Sequence, residues 1–183
     1  MDQNKLKKKF VKGDRKAFDT IYEMYADAMY SVCLRYTRNV DEAADMLQDG
    51  FIKIYQNRGK FNTEQEFGPW IKRIIINEAI NHYRANKKFD LVEEDSFFEE
   101  VEEPFELEES SNLKDILLEI IRELPEGYRA VFNMFVFDNL THNEIADYLN
   151  VSVNTSKTQL SKARKMIKTK LAEKGITTSL VKA

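Results

Sequence analysis

Residues 141–171 read THNEIADYLNVSVNTSKTQLSKARKMIKTKL, and their spacing decides the fold. Thr141 with Glu144 three residues on has the pattern of a capping box, so a short helix is expected from Thr141 to Leu149. Ile145, Ala146 and Leu149 form its inner face. Asn150, Val151 and Ser152 make a tight connection, and Ser152 is placed to cap a final helix reaching about Leu171. A short helix, a tight turn and a longer basic helix describe a helix-turn-helix. On a helical wheel Leu160, Ala163, Ile167 and Leu171 form a narrow inner stripe. Asn154, Thr158, Ser161, Lys162 and Lys165 point the other way, flanked by Lys157, Arg164 and Lys168. No acidic residue occurs from 153 to 171. Small polar groups near the helix start can approach base edges, and the basic groups can neutralise phosphates. DNA binding is the sharper reading of this face; a merely soluble basic helix is the plainer one.

Upstream, Leu117, Ile120, Ile121 and Leu124 mark an amphipathic helix that stops near Pro125, which suits the first turn of the next. That next helix carries Val131, Phe132, Met134, Phe135 and Phe137. Before it the charge changes abruptly. Residues 91–110 hold 10 acidic side chains and no basic one. Residues 1–90 hold 17 basic against 13 acidic, and residues 111–183 hold 11 against 8. The net charge of −3 thus conceals two mildly basic blocks around an acidic segment. A self-repelling run of this kind reads as a linker, although Phe97, Phe98 and Phe105 give it apolar points of attachment.

In the first block, Phe18, Ile21, Tyr22, Tyr25, Met29, Val32, Cys33 and Tyr36 predict one long amphipathic helix over residues 14–37. Asn39 and Glu42 suggest a second capping box, opening a helix from about Val40 to Gln56 whose acidic side is Asp41, Glu42, Asp45 and Asp49. A loop, NRGKFNTEQEFG, precedes a third helix from about Phe67 to Ala85. Its apolar side is Ile71, Ile74, Ile75 and Ala79. Arg73, Asn77, Asn81 and Arg84 run along another side, extended by Lys87 and Lys88, with Trp70 near the boundary. Guanidinium and amide groups so arranged can meet phosphates and base edges; a solvated polar face would look similar.

Only 6 glycines and 3 prolines in 183 residues favour an all-helical chain. One cysteine excludes a disulfide framework, and Cys33 sits on an apolar stripe, where a buried small hydrophobe is expected. Two histidines 60 positions apart leave little for a metal centre. His82 has two readings, a DNA contact or a surface side chain; for His142, a surface or capping role is expected. There is no GxxxxGK[ST], HExxH or GxSxG pattern, so no catalytic residue, cofactor or metal is expected and the chain is read as a non-enzyme. Without a signal peptide or an apolar run of spanning length, neither membrane insertion nor secretion is expected, and the cytoplasm is the expected compartment.

Taken in order, DEAADMLQDGFIKIYQN, FGPWIKRIIINEAINHYRANKK and LPEGYRAVFNMFVFDNLTHNEIADYLNVSVNTSKTQLSKARKMIKTKL resemble the three signature stretches of bacterial RNA polymerase sigma factors of the extracytoplasmic-function (ECF) family. The resemblance implies an all-α fold of two small helical domains joined by an acidic linker. The second is a helix-turn-helix of the winged-helix-like, region 4 type. The implied divisions are 1–90 for region 2, 91–111 for the linker, 112–175 for region 4 and 176–183 for a tail. Asp45, Gln48, Asp49 and Phe51, with Ile54, match the helix that grips the polymerase clamp. Trp70, Asn77 and Arg84 match strongly patterned positions of the −10 helix. The resemblance implies −10 contacts for Phe61, Asn62, Trp70, Arg73, Asn77, Asn81, Arg84, Lys87 and Lys88, with the loop around residues 61–66 receiving a flipped non-template base. Thr155, Lys157, Leu160, Ala163 and Arg164 match the −35 helix, the apolar pair as packing residues. Asn154, Thr155, Lys157, Thr158, Ser161, Lys162, Arg164, Lys165 and Lys168 are its implied DNA-contacting set. Asn154 and Gln159 stand where glycine and arginine are frequent, and Asn81 where many members have aspartate.

The implied partners are core RNA polymerase, promoter DNA and, as in many members, an anti-sigma factor. The implied activity is promoter-specific initiation through −10 and −35 elements. The linker is expected to thread toward the RNA exit path. Two rivals are a helix-turn-helix regulator that does not serve polymerase as a subunit, and a helical adaptor that binds only protein. The first would need a receiver or ligand pocket upstream, for which residues 1–90 are too helical and glycine-poor; the second leaves the acid-free final helix unexplained.

Overall fold

The computed structural model describes residues 3–86 and 111–176. The expectations for Lys87, Lys88, the acidic linker and residues 177–183 lie outside them. Every regular element among the described residues is helical: α1 (Gln3–Val11), α2 (Arg15–Tyr36), α3 (Val40–Gln56), a 3-10 turn (Arg58–Lys60), α4 (Phe67–Asn86), α5 (Ser111–Glu123), α6 (Glu126–Val136), α7 (His142–Leu149) and α8 (Val153–Glu173). The chain divides into two compact units after Asn81, within α4 and short of the expected boundary at 90.

In the first unit α2 packs along α3, and α1 packs on α2 and the 3-10 turn. The helix α1 has no counterpart in the sequence reading, because QNKLKKKFV offers only Leu6, Phe10 and Val11 as apolar residues. It ends where Gly13 takes a left-handed conformation (φ 83°), with the Gly13 N–H donating to Phe10 O at 2.9 Å. Asp14 then caps α2, its Oδ1 accepting the Ala17 N–H at 2.9 Å. Asn39 caps α3 by accepting the Glu42 N–H at 2.8 Å. The reciprocal bond of the expected box is shifted: Glu42 accepts from the Arg38 N–H, one residue before the cap. Cys33 is fully buried, and desolvation pushes its thiol up to about 12, so it packs as an unreactive hydrophobe.

The contact between α3 and α4 depends on one glycine. A Cβ at Gly50 would stand 2.2 Å from Ile75 Cδ1, and Ile75 is itself fully buried. Glycine in a helix interior costs about 1 kcal/mol against alanine; here it lets the two helices approach. The Lys53–Glu78 ion pair joins the same two helices at the surface.

In the second unit α8 packs against α5, α6 and α7. Arg129 is 2% exposed and donates from Nη1 to Arg122 O (2.8 Å) and Leu124 O (3.3 Å), tying off the end of α5. The box at α7 is complete: the Glu144 N–H donates to Thr141 Oγ1 and the Thr141 N–H to Glu144 Oε2. Asn150 closes α7 in a left-handed conformation (φ 52°). Ser152 caps α8, its Oγ accepting the Thr155 N–H at 2.9 Å. No β-wing accompanies this helix-turn-helix among the described residues.

Two substitutions test this packing. Gly50→Val should destabilise the first unit by about 2 kcal/mol through overpacking, read from urea unfolding. Thr141→Ala should cost about 1 kcal/mol in the second unit through loss of the cap.

Candidate nucleic-acid and partner interfaces

The strip on α4 is turned to solvent. Arg73, Asn77, Asn81 and Arg84 are all exposed, while Ile71, Ile75, Ala79 and Ile80 are buried. Ile74, expected inside, is half-buried. His82 is exposed beside the strip. Arg84, which falls in the second unit, donates from Nη2 to the Asp147 carbonyl at 3.3 Å.

Phe61 requires a correction. Expected as a DNA contact, it is 5% exposed and stacks on Phe67 with centroids 4.6 Å apart and planes at 10°. Phe10 stands edge-on to Phe61, Phe67 and Trp70, at 6.1, 5.4 and 6.0 Å. A ring enclosed on several sides by other aromatics has no face left for a base. Asn62 is exposed, but its Oδ1 accepts the Glu64 N–H at 3.0 Å and shapes the loop as an Asx turn.

On α3 the expected partner contacts divide. Phe51 and Ile54, expected against a partner, are 3% and 0% exposed. Phe51 meets Tyr22 and Phe18 edge-on at 4.7 and 6.3 Å. Both side chains lie on the buried stripe of α3, Ile54 fully enclosed and Phe51 at its edge. The outward face carries Asp45, Gln48 and Asp49, all exposed, and one residue the sequence reading passed over, Ile52, at 46% exposure. With Tyr22 (43% exposed), Phe18, Leu47, Gln48 and the edge of Phe51, Ile52 lines an open groove of about 650 Å³ between α2 and α3. An isoleucine on the charged side of a helix was the available signal.

On α8, Asn154, Lys157, Ser161 and Lys165 are exposed, and Thr158, Lys162 and Lys168 are half-buried. Leu160, Ala163, Ile167 and Leu171 are buried at 4% or less, as the wheel requires. Thr155 and Arg164 are half-buried and serve the unit's own packing. The Thr155 hydroxyl shares a 2.8 Å hydrogen bond with the Ser152 hydroxyl, and the Arg164 guanidinium lies over the Phe135 ring at 5.7 Å. His142 is neither free at the surface nor the cap. Its ring stacks on Phe135 at 4.7 Å, and its Nδ1 shares a 2.9 Å hydrogen bond with the fully buried Ser156 Oγ. This bond joins α7 to the first turn of α8.

The electrostatics support the frame more than the outward faces. Glu144 is held below the usual carboxylate range by the Thr141 N–H and then by its hydroxyl. Lys170 pairs with Glu123 of α5 at 2.5 Å, which raises the lysine and lowers the carboxylate, mainly through the hydrogen bond itself. Among the described residues no cluster of side chains is suited to a metal, and no helix is long and apolar enough to cross a membrane.

Residues 21–89 match the family model of Sigma-70 region 2, and residues 114–167 that of Sigma-70, region 4; α1 lies before the first match. The ECF RNA polymerase sigma factor SigW of Bacillus subtilis is 30% identical over 177 residues, covering 91% of this chain and 95% of that one. The ECF RNA polymerase sigma-E factor of Escherichia coli (strain K12) is 30% identical over 171 residues, covering 87% and 89%. The RNA polymerase sigma-H factor of Pseudomonas aeruginosa is 29% identical over 167 residues, covering 85% and 86%. Among solved structures, CnrH in complex with the cytosolic domain of CnrY has a TM-score of 0.51 at 18% identity, covering 93% of this chain and 97% of that one. The sigma factor RpoE of Bartonella quintana, in complex with the anti-sigma factor NepR, has a TM-score of 0.53 at 19% identity, covering 86% and 98%. With both region models matched in order, and full-length relatives 30% identical across about nine-tenths of its sequence, this chain belongs to the ECF family of RNA polymerase sigma factors.

Proposed function

We propose that the chain binds core RNA polymerase through the α2–α3 face, opens and reads a −10 element with α4, and reads a −35 element with α8. Sigma factors are not enzymes; RNA synthesis belongs to the core. The observation that carries the reading is the division of labour around each helix. The α8 stripe buries fully and the α4 stripe does so except at half-buried Ile74, and three different surfaces face outward: acidic and apolar on α3, amide and guanidinium on α4, hydroxyl and ammonium on α8.

Each surface suits its task. Asp45 and Asp49 offer carboxylates to a basic partner, beside a groove in which Tyr22 and Ile52 are open to an apolar side chain. Arg73 and the Asn77 and Asn81 amides offer contacts to phosphate and to single-stranded base edges. Extruding a base costs a few kcal/mol, which contacts from a loop beside the strip can offset, more so when the loop is already formed. Lys157 and Lys165 neutralise phosphates while Asn154 and Ser161 reach toward bases. Holding two DNA-reading modules in one chain raises the effective concentration of the second once the first is bound. The −10 set keeps Asn62, Trp70, Arg73, Asn77, Asn81 and Arg84, with Phe61 supporting it from below. An anti-sigma factor covering the same α2–α3 face is consistent with the family, and the groove is the surface it would compete for.

The test is transcription from a promoter pool by core polymerase reconstituted with the full chain. Ile52→Asp should abolish core binding. Arg73→Ala should leave core binding intact and slow open-complex formation about tenfold, read by permanganate footprinting. Equal loss of both in Arg73→Ala counts against the assigned face. For α8, Lys157→Gln with Lys165→Gln should weaken duplex binding regardless of sequence. The slope of log affinity against log salt should fall by about 0.9 for each phosphate contact removed.

A further inference from the structure

Lys7 is the only buried charged side chain among the described residues of the first unit, at 5% exposure. Its Nζ donates to Glu66 Oε1 at 3.0 Å. The lysine side chain is 6% exposed and the glutamate 64%, so the bond spans from the interior to the surface. Glu66 directly precedes α4 and closes the loop of residues 62–66. Within that loop Asn62 accepts the Glu64 N–H on its side chain, and its carbonyl accepts the Gln65 N–H at 3.1 Å. The exposed residues Asn62, Glu64 and Gln65 bury nothing that would hold them in place.

Both ends of the loop are instead fixed by α1. Phe10 lies against Phe61 and Phe67, the residues on either side of the loop, and Lys7 holds Glu66. Lys7 and Phe10 are three residues apart and so share one face of α1. With its side chain 6% exposed, Lys7 has lost most of its hydration, and the Glu66 carboxylate supplies a charged hydrogen bond in its place. The same pairing neutralises a carboxylate that would repel an approaching phosphate. A loop ordered in advance loses less freedom when it takes up a ligand.

We propose that Lys7 is a positioning residue: by pairing with Glu66, α1 presets residues 62–66 to receive an unstacked base of the promoter's non-template strand. This deepens the function proposed above and rests on it. It gives a role to a helix outside the region 2 match.

The experiment uses polymerase holoenzyme assembled with wild type, Lys7→Met, Glu66→Gln, both together, and Lys7→Arg. Lys7→Met keeps the apolar stem and removes the ammonium. The probe is a fluorescently labelled single strand covering the −10 element of a promoter that the wild-type holoenzyme transcribes, with the same strand scrambled as control. Lys7→Met should lose about tenfold in capture of the −10 strand, the scale of a charged hydrogen bond. Glu66→Gln should also lose capture, and the double variant should be no worse than Lys7→Met. Lys7→Arg should restore most of the loss, and core affinity should stay within about twofold throughout. Should Lys7→Met fail to fold, Glu66→Gln at the exposed end carries the test. Undiminished capture by Glu66→Gln, additive losses in the double variant, or an equal fall in core affinity would each overturn the proposal. A wild-type holoenzyme that holds the two strands equally overturns the parent reading instead, and this proposal with it.

Discussion

All but one of the helices described in full bury a single stripe of their surface, and the outward faces of this protein follow from that; the exception is α6, buried at every position from Arg129 to Met134. The helices α4 and α8 lie at the edge of their units and meet neighbours on one side only. Burial of Ile71, Ile75 and Ala79 therefore leaves Arg73, Asn77 and Asn81 outside, and burial of Leu160, Ala163 and Ile167 leaves Lys157, Ser161 and Lys165 outside. The apolar stripe and the recognition face are two consequences of one rotation per residue. A substitution that turned the stripe by one position would move both together.

Polar groups at helix ends then fix where each stripe begins. Asp14, Asn39, Thr141 and Ser152 each accept a backbone N–H at their helix start, so the register of α2, α3, α7 and α8 is anchored by local chemistry. The helix-turn-helix has a second restraint in the His142–Ser156 bond, which ties the supporting helix to the buried side of the reading helix. The outward face of α8 is thereby held in one orientation relative to α7. Its far end is held differently, by exposed ion pairs of Lys170 with Glu123 and Lys174 with Glu119, of the kind that contribute little and weaken in salt.

The aromatic cluster of the first unit shows the opposite case, where packing claims a residue that its chemistry suggests for a ligand. A phenylalanine in a loop before a polar strip looks available for stacking. Phe61 is instead enclosed by Phe10, Phe67 and Trp70, and the loop it enters gains a rigid base. Ile54 has the same history on α3, whereas Phe51 still borders the groove beside the exposed Ile52.

The sequence by itself determined the helices from α2 to α8, the caps at Asn39, Thr141 and Ser152 and most of the buried faces, because periodicity and capping are local properties of the chain. From Val40 to Gln56 and from Thr141 to Leu171 the reading needs no knowledge of what lies opposite. It also determined the family, since the order of three stretches is a property of sequence. Only the tertiary structure decided which apolar residues the packing consumed and what the residues of α1 touch. Lys7 lies in a run of lysines that reads as solvated, and nothing within several residues distinguishes it from Lys5 or Lys8. Its partner is 59 positions away. Burial of a charge depends on a long-range neighbour, and long-range neighbours are fixed by packing rather than by period.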